Sequence, residues 1–158
     1  MKLVSLFIAF CISSLPLAVN SSGQRAAAFN PSGYFLPVET EGKSSGIRWI
    51  MLSDFHGKGQ AGPLYVELRA GNWSRWTTFS QAKLTLEGSN LQFVTKHRNE
   101  RWYEFTGKFS PTDLELSNGG FTDAHDAPPI ALRGVLRCFR AGTLVRSVEL
   151  AFIFTAGD

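Results

Sequence analysis

The C-terminal segment constrains this chain more than any other. "IALRGVLRCFR", residues 130–140, and "TLVRSVELAFIFTA", residues 143–156, alternate apolar and polar side chains, and only Ala141 and Gly142 separate them. Successive side chains of a strand point to opposite faces, so this period predicts two half-buried strands, and the two-residue connection predicts an antiparallel hairpin. On that parity Val148, Leu150, Phe152 and Phe154 face a core, as do Ile130, Leu132, Leu136 and Cys138.

The same rhythm runs upstream, broken roughly every eight to twelve residues by Gly, Asn, Ser or Pro. "YFLPVE" places Tyr34, Leu36 and Val38 on one face, with Pro37 marking an edge because it has no N–H for a ladder. "IRWIML" is apolar on both faces and reads as a central strand, while "LYVELRA" turns Leu64, Val66 and Leu68 inward. "WSRWTTFSQAKLTLEG" makes two strands or one bent strand. "NLQFVTK" and "RWYEFTGKF" form a hairpin around "HRNE", with Tyr103, Phe105 and Phe109 on a common face. No segment carries a helical period, so crossover helices and parallel pairing are excluded. The expected fold is all-β and antiparallel, with about eight to ten strands: a β-sandwich, or alternatively a small closed or partly open barrel.

Lys2 and the apolar run "LVSLFIAFCISSLPLAV", residues 3–19, followed by small polar residues, have the pattern of a secretory leader. With Ser13, Ser14 and Pro16 at its end, the run falls short of the roughly 20 apolar residues of a membrane helix. The small residues at 19–21 and 26–28 bracket the cleavage point. Residues 1–28 are therefore expected to be a signal peptide and residues 29–158 a single all-β domain, secreted or periplasmic, with no transmembrane span in the mature chain. Phe10 before Cys11 lacks the small residue that precedes a lipid-modified cysteine. Cys138 is then the last thiol, so no internal disulfide forms and the fold stands on its core. Removing Lys2 and Arg25 with the leader leaves 14 basic residues against 13 acidic ones. Near-neutral charge and export together argue against nucleic acid as a partner.

"DFHGKGQAGP" holds Gly57, Gly59 and Gly62 at the spacing of a dinucleotide fingerprint. That motif works between a strand and a helix whose N-terminus receives the phosphate, and here "LYVELRA" returns to a strand. Its Asp-x-His element recurs in "TDAHDAPP", so Asp54, His56, Asp123 and His125 would offer two imidazoles and two carboxylates to Zn or Mn if the loops met. His97, flanked by Lys96 and Arg98, reads as a hairpin tip. Neither a Gly-x-Ser-x-Gly elbow nor a His-Glu-x-x-His motif occurs. Acidic pairs such as Asp113 with Glu115 or Glu100 with Glu104 are what 13 carboxylates supply by chance. Cys138, inward by parity, reads as a small hydrophobe and not as a nucleophile.

Two binding features remain. Arg133 and Arg137 alternate with Val135 and Phe139 on the face opposite the core, and Arg140 and Arg146 flank the last turn, making an anion-contacting stripe or a solvated outer face. Trp73 and Trp76 in "GNWSRWTTF" would stack on sugar rings if exposed; with Trp49 and Trp102 they are expected in the core. The functional expectation is an exported, non-enzymatic binding or structural module of the periplasm, cell envelope or extracellular space. Its partner would be an anionic envelope component, a glycan or a protein, and it would need no cofactor. The alternative is a small metal-dependent hydrolase built on the paired Asp-x-His elements.

Overall fold

The alternating segments become strands β1 (Gly33–Pro37), β2 (Ile47–Phe55), β3 (Ala61–Asn72), β4 (Arg75–Glu87), β5 (Asn90–Thr95), β6 (Arg101–Phe109), β7 (Leu132–Arg140) and β8 (Thr143–Thr155), with one helix, α1 (Pro111–Asn118), between β6 and β7. The computed structural model describes residues 30–38, 45–55, 61–72, 74–118 and 128–156; the expected leader, residues 1–28, lies outside them. Each strand pairs antiparallel with the next, and β1 also pairs with β8, through Tyr34 opposite Thr155, Phe35 opposite Phe154 and Pro37 opposite Phe152. The sheet thus closes into an eight-stranded up-and-down barrel in place of the two layers of a sandwich. Closure abolishes the open edges that a sandwich must protect.

Parity holds along most of the barrel. Val66, Leu68, Tyr103, Phe105, Phe109, Leu132, Leu136, Leu150, Phe152 and Phe154 all lie in the buried core. The first strand departs from expectation: Phe35 is fully buried, whereas Tyr34 and Leu36 are half-buried and Val38 is exposed. Both faces of that stretch are apolar, so alternation alone does not choose between them. The double ladder does, by setting Phe35 between Ile50 and Phe154. Pro37 marks no edge, because β1 is paired on both sides and Pro37 ends it.

Aromatic rings fill the end of the barrel that carries the termini of β6 and β8. Phe35 packs against Phe109 and Phe154 at centroid distances of 5.3 and 5.2 Å, and Phe105 meets Phe93 and Phe152 at 5.3 and 5.9 Å. Phe105 can lie against the wall because Gly107 and Gly134 face each other across β6 and β7. A Cβ on Gly107 would stand 2.6 Å from that ring, and one on Gly134 2.5 Å. Helix α1 adds Leu114 to the same end of the core. It starts where Ser110 caps it: the Ser110 carbonyl accepts the Leu114 N–H at 3.0 Å and the hydroxyl accepts the Asp113 N–H at 3.4 Å. Leu114 is buried and Leu116 is 57% exposed, so α1 carries no apolar stripe, which is why periodicity failed to reveal it.

The outer wall bears Glu67, Arg69, Lys83, Glu104, Arg133 and Arg137, while the buried interior is mostly aromatic and aliphatic. No helix among the described residues is long and apolar enough to cross a membrane. Gly62 stands in β3, so a strand follows the glycine-rich stretch where a nucleotide fingerprint requires a helix; Gly57 and Gly59 lie outside the described residues.

Ala substitution at Gly107 or Gly134 should overpack the wall and lower unfolding free energy by about 1–3 kcal/mol in urea titrations. Unchanged midpoints would mean that Phe105 moves aside freely. Ala141 sits at φ 47° in the last hairpin, a conformation that favours glycine. Ala141→Gly should therefore raise stability, by up to about 1 kcal/mol in the same assay.

Candidate functional site

In an up-and-down barrel alternate connections emerge at the same end. Those of β3–β4, β5–β6 and β7–β8 share the end opposite α1, and each brings arginine. Asn99 and Glu100 both have positive φ, 50° and 61°, as do Ala141 and Gly142 at 47° and 83°. Such pairs of left-handed residues are the backbone of tight two-residue hairpin turns. Arg98 and Arg101 exchange backbone hydrogen bonds of 2.8 and 3.1 Å, and the Ala141 N–H donates to the Glu100 carbonyl at 2.9 Å, tying the two turns together. Arg101 consequently lies opposite Arg140. In β8 the register skips Val145, which sets Arg146 opposite Cys138 on the inward parity. The Arg146 guanidinium donates from Nη1 to the Ser45 carbonyl at 2.9 Å, spanning from β8 to the residues that lead into β2.

A cavity of about 540 Å³ opens at this end. Arg75, Arg101 and Arg146 stand around it, with Ser45 and Thr77, and Tyr103 and Cys138 line its wall. Leu136 and Val148, paired with each other one step further inward along β7 and β8, belong to its apolar side. On the same rung Phe105, opposite Leu136 on β6, packs its ring against Phe93 and Phe152. A smaller cavity of about 230 Å³ shares Thr77 and Arg101 and adds Phe79, Arg98, Asn99 and Arg140. Neither cavity has a carboxylate among its described lining residues. Guanidinium forks match the planar geometry of carboxylates and the oxygens of phosphate. The arrangement can therefore hold an anionic group at the rim and an apolar group beneath it.

Tyr103 anchors the wall. Its ring meets Phe79 edge-on at 4.9 Å, and its N–H donates to the Thr95 hydroxyl at 2.9 Å, one step past the last β5–β6 ladder pair, Val94 with Glu104. Burial raises its phenol to about 12, the neighbouring Cys138 thiol adds to that rise, and Arg101 works against it. Cys138 is half-buried and packs against the core from the cavity wall, so it is less enclosed than its parity suggests.

The other residues singled out from the sequence fall elsewhere. Asp54 is held at the opposite end, where its two carboxylate oxygens accept hydrogen bonds from Asn30 Nδ2 at 3.2 Å and Ser32 Oγ at 3.1 Å. His56, Asp123 and His125 lie outside the described residues. Among the described residues no group of three or more His, Cys, Asp or Glu side chains is placed to hold a metal ion. Arg133 and Arg137 are exposed on the outer wall, away from the mouth. Arg137 stands between Glu104 and Ser147, and Arg133 borders a shallow groove with Val38 and Glu149. Trp73 lies outside the described residues, while Trp49, Trp76 and Trp102 are half-buried on the exterior and not in the core. Arg48 lies 6.0 Å from the Trp76 ring centroid, Tyr34 meets Trp49 edge-on, and Trp102 stacks between His97 and Phe139 at 4.2 and 5.0 Å. The narrow lumen takes Phe and Leu, and the larger indoles cover the wall from outside.

Fold and site together define an up-and-down antiparallel barrel with one filled end and one arginine-lined, partly apolar mouth. No family model, curated protein or solved structure matches the chain.

In an ultraviolet absorbance titration Tyr103 should ionise near 12, and Cys138→Ala should bring that midpoint down. A folded-state value above the unfolded one means that the native state holds its proton more tightly. The resulting stabilisation is complete below about pH 10 and is lost as pH rises toward 12. A Tyr103 midpoint near its ordinary value of 10.0 would contradict the buried placement.

Proposed function

We propose that the protein is an exported, non-enzymatic binding module that takes a small ligand into the open mouth of its barrel. The observation that carries this reading is the unequal filling of the lumen: phenylalanines occupy one end, whereas a cavity of about 540 Å³ remains at the other. Eight-stranded barrels have lumens that side chains just fill or that accept one small ligand, and a barrel serving only as a structural part has no need of an open half. The volume falls within the roughly 300–1,000 Å³ of small-molecule sites. Export rests on the N-terminal leader pattern, which agrees with a chain that keeps a single cysteine and an even charge balance after processing.

Ligand binding to the native state alone should stabilise it, by about 2.7 kcal/mol at a hundredfold excess over Kd, and so raise the melting temperature. A thermal-shift screen of anionic, neutral and cationic small molecules against residues 29–158 should find such compounds. Val148→Phe, which narrows the mouth from within, should abolish the shift while the protein still melts cooperatively. A screen with no stabilising compound in any charge class would count against the reading. Export is checked separately by expressing the full chain in a secretion-competent host and sequencing the N-terminus of the extracytoplasmic product, expected to begin between residues 20 and 29.

A further inference from the structure

We infer that the outer rim of β6–β8 docks on an anionic phospholipid membrane, with the tip of the β7–β8 hairpin, residues 141–145, entering the headgroup region. This surface lies on the outside of the barrel and is independent of what the mouth takes in.

The surface follows from the rungs of the outer wall. At the rim the outward positions of β6, β7 and β8 are Trp102, Phe139 and Leu144, paired in register. One rung toward α1 they are Glu104, Arg137 and Ser147, and the rungs beyond carry Glu149 and then Lys108 with Arg133. The rim rung alone of these four is wholly apolar. The hairpin tip beside it, "AGTLV", has no charged residue and is exposed throughout, with Leu144 49% and Val145 56% exposed. A contiguous apolar row at one place on an otherwise charged wall marks a contact surface.

Ring geometry and charge select the occupant. Trp102 has both ring faces covered, by His97 at 4.2 Å and 6° and by Phe139 at 5.0 Å and 5°. A sugar ring therefore finds no face of Trp102 to stack on, and the row offers ring edges and aliphatic ends, which suit the membrane–water interface. Each ring has a basic neighbour in sequence: Lys96 and Arg98 flank His97, Arg101 precedes Trp102 and Arg140 follows Phe139. With Arg137 one rung below, five cations border the row against two carboxylates, Glu100 and Glu104. None of the five is held in an ion pair among the described residues. A second copy docking through the same row would bring the cationic margins of both copies together, which Coulomb repulsion disfavours. An anionic bilayer attracts those margins, and arginine stems can lie along apolar surface while their guanidinium groups reach phosphate. The exposed aliphatic tip needs an apolar medium behind the anionic layer, which a bilayer supplies and a solvated acidic polypeptide does not.

Co-sedimentation with vesicles of phosphatidylglycerol or of phosphatidylcholine tests the surface. Residues 29–158, which hold every strand and the helix, are used because the apolar run at residues 3–19 would bind lipid by itself. Phosphatidylglycerol should be bound at least about tenfold more tightly than phosphatidylcholine, with the difference shrinking as salt is raised. Arg140→Gln should weaken that binding about fivefold. Leu144→Ser combined with Val145→Ser, which alters only exposed side chains, should weaken it at least about tenfold. Equal affinity for the two lipids, or full binding by the double variant, would overturn the proposal. Soluble polyglutamate bound more tightly than vesicles would overturn it in favour of an acidic protein. A dimer that the double variant dissociates, without vesicle binding, would overturn it in favour of a second copy. The unaltered protein gives a reading that needs no variant to fold: brominated phosphatidylglycerol should quench part of its tryptophan fluorescence, and Trp102→Phe should reduce that quenching. Absence of quenching would overturn the placement of the row in the headgroup region.

Discussion

Five residues, Gly33–Pro37, convert a meander into a ring, and the consequences of that closure run through the whole molecule. Once β1 joins β2 to β8, every strand has two neighbours and every alternating side chain is assigned to a lumen or an exterior. Phe35 shows how tightly this is enforced: it is fully buried between strands from opposite ends of the chain, against Phe154 and Phe109. The brevity of β1 matters as much as its presence. Its ladder with β8 stops at Phe152, and Val38 then donates to the Ala151 carbonyl. From Thr143 to Ser147 β8 is exposed and pairs with β7 as it reaches the open end.

The two ends of the barrel differ because the inward positions differ in what they carry. Toward the end occupied by α1 the inward side chains are rings and large aliphatics that interlock across a narrow lumen. Toward the mouth they become Tyr103, Cys138 and Arg146, one rung of the ladder, with Arg101 beyond. An inward arginine near a rim keeps its stem against the wall and its head in water, so the same parity that buries Phe105 can present a cationic collar a few residues later. A filled end and a charged, hollow end thus arise from a single alternation rule applied to different residues.

Much of the strand pattern was legible because one face of each strand is consistently apolar. Val66 and Leu68, Tyr103 with Phe105 and Phe109, and Leu150 with Phe152 and Phe154 were all assigned inward from period two and are inward. The pattern misled where both faces are apolar, as in β1, and where an element has too little apolar surface to register, as in α1. It also misled for the tryptophans, since size and hydrophobicity suggest a core without saying whether the core has room. The mouth was partly visible: Arg75, Arg98, Arg101, Arg140 and Arg146 all sit beside connections of one parity, and a meander sends alternate connections to one end. Arg133 and Arg137 stand out in the sequence because they share one face of a single strand, and nearness in sequence is not convergence on a site.

What the sequence determined by itself was local: which segments are extended, where tight turns fall and which residues of a strand share a face. Those properties follow from side-chain period and from turn chemistry spanning a few residues. Whether the strands form a sandwich or a ring, and whether five scattered arginines meet, was decided only by the tertiary structure. The Arg146–Ser45 hydrogen bond joins positions 101 residues apart, and the β1–β8 ladder spans nearly the whole described chain. Contacts of that range depend on strand order and register around the barrel, which no local pattern encodes.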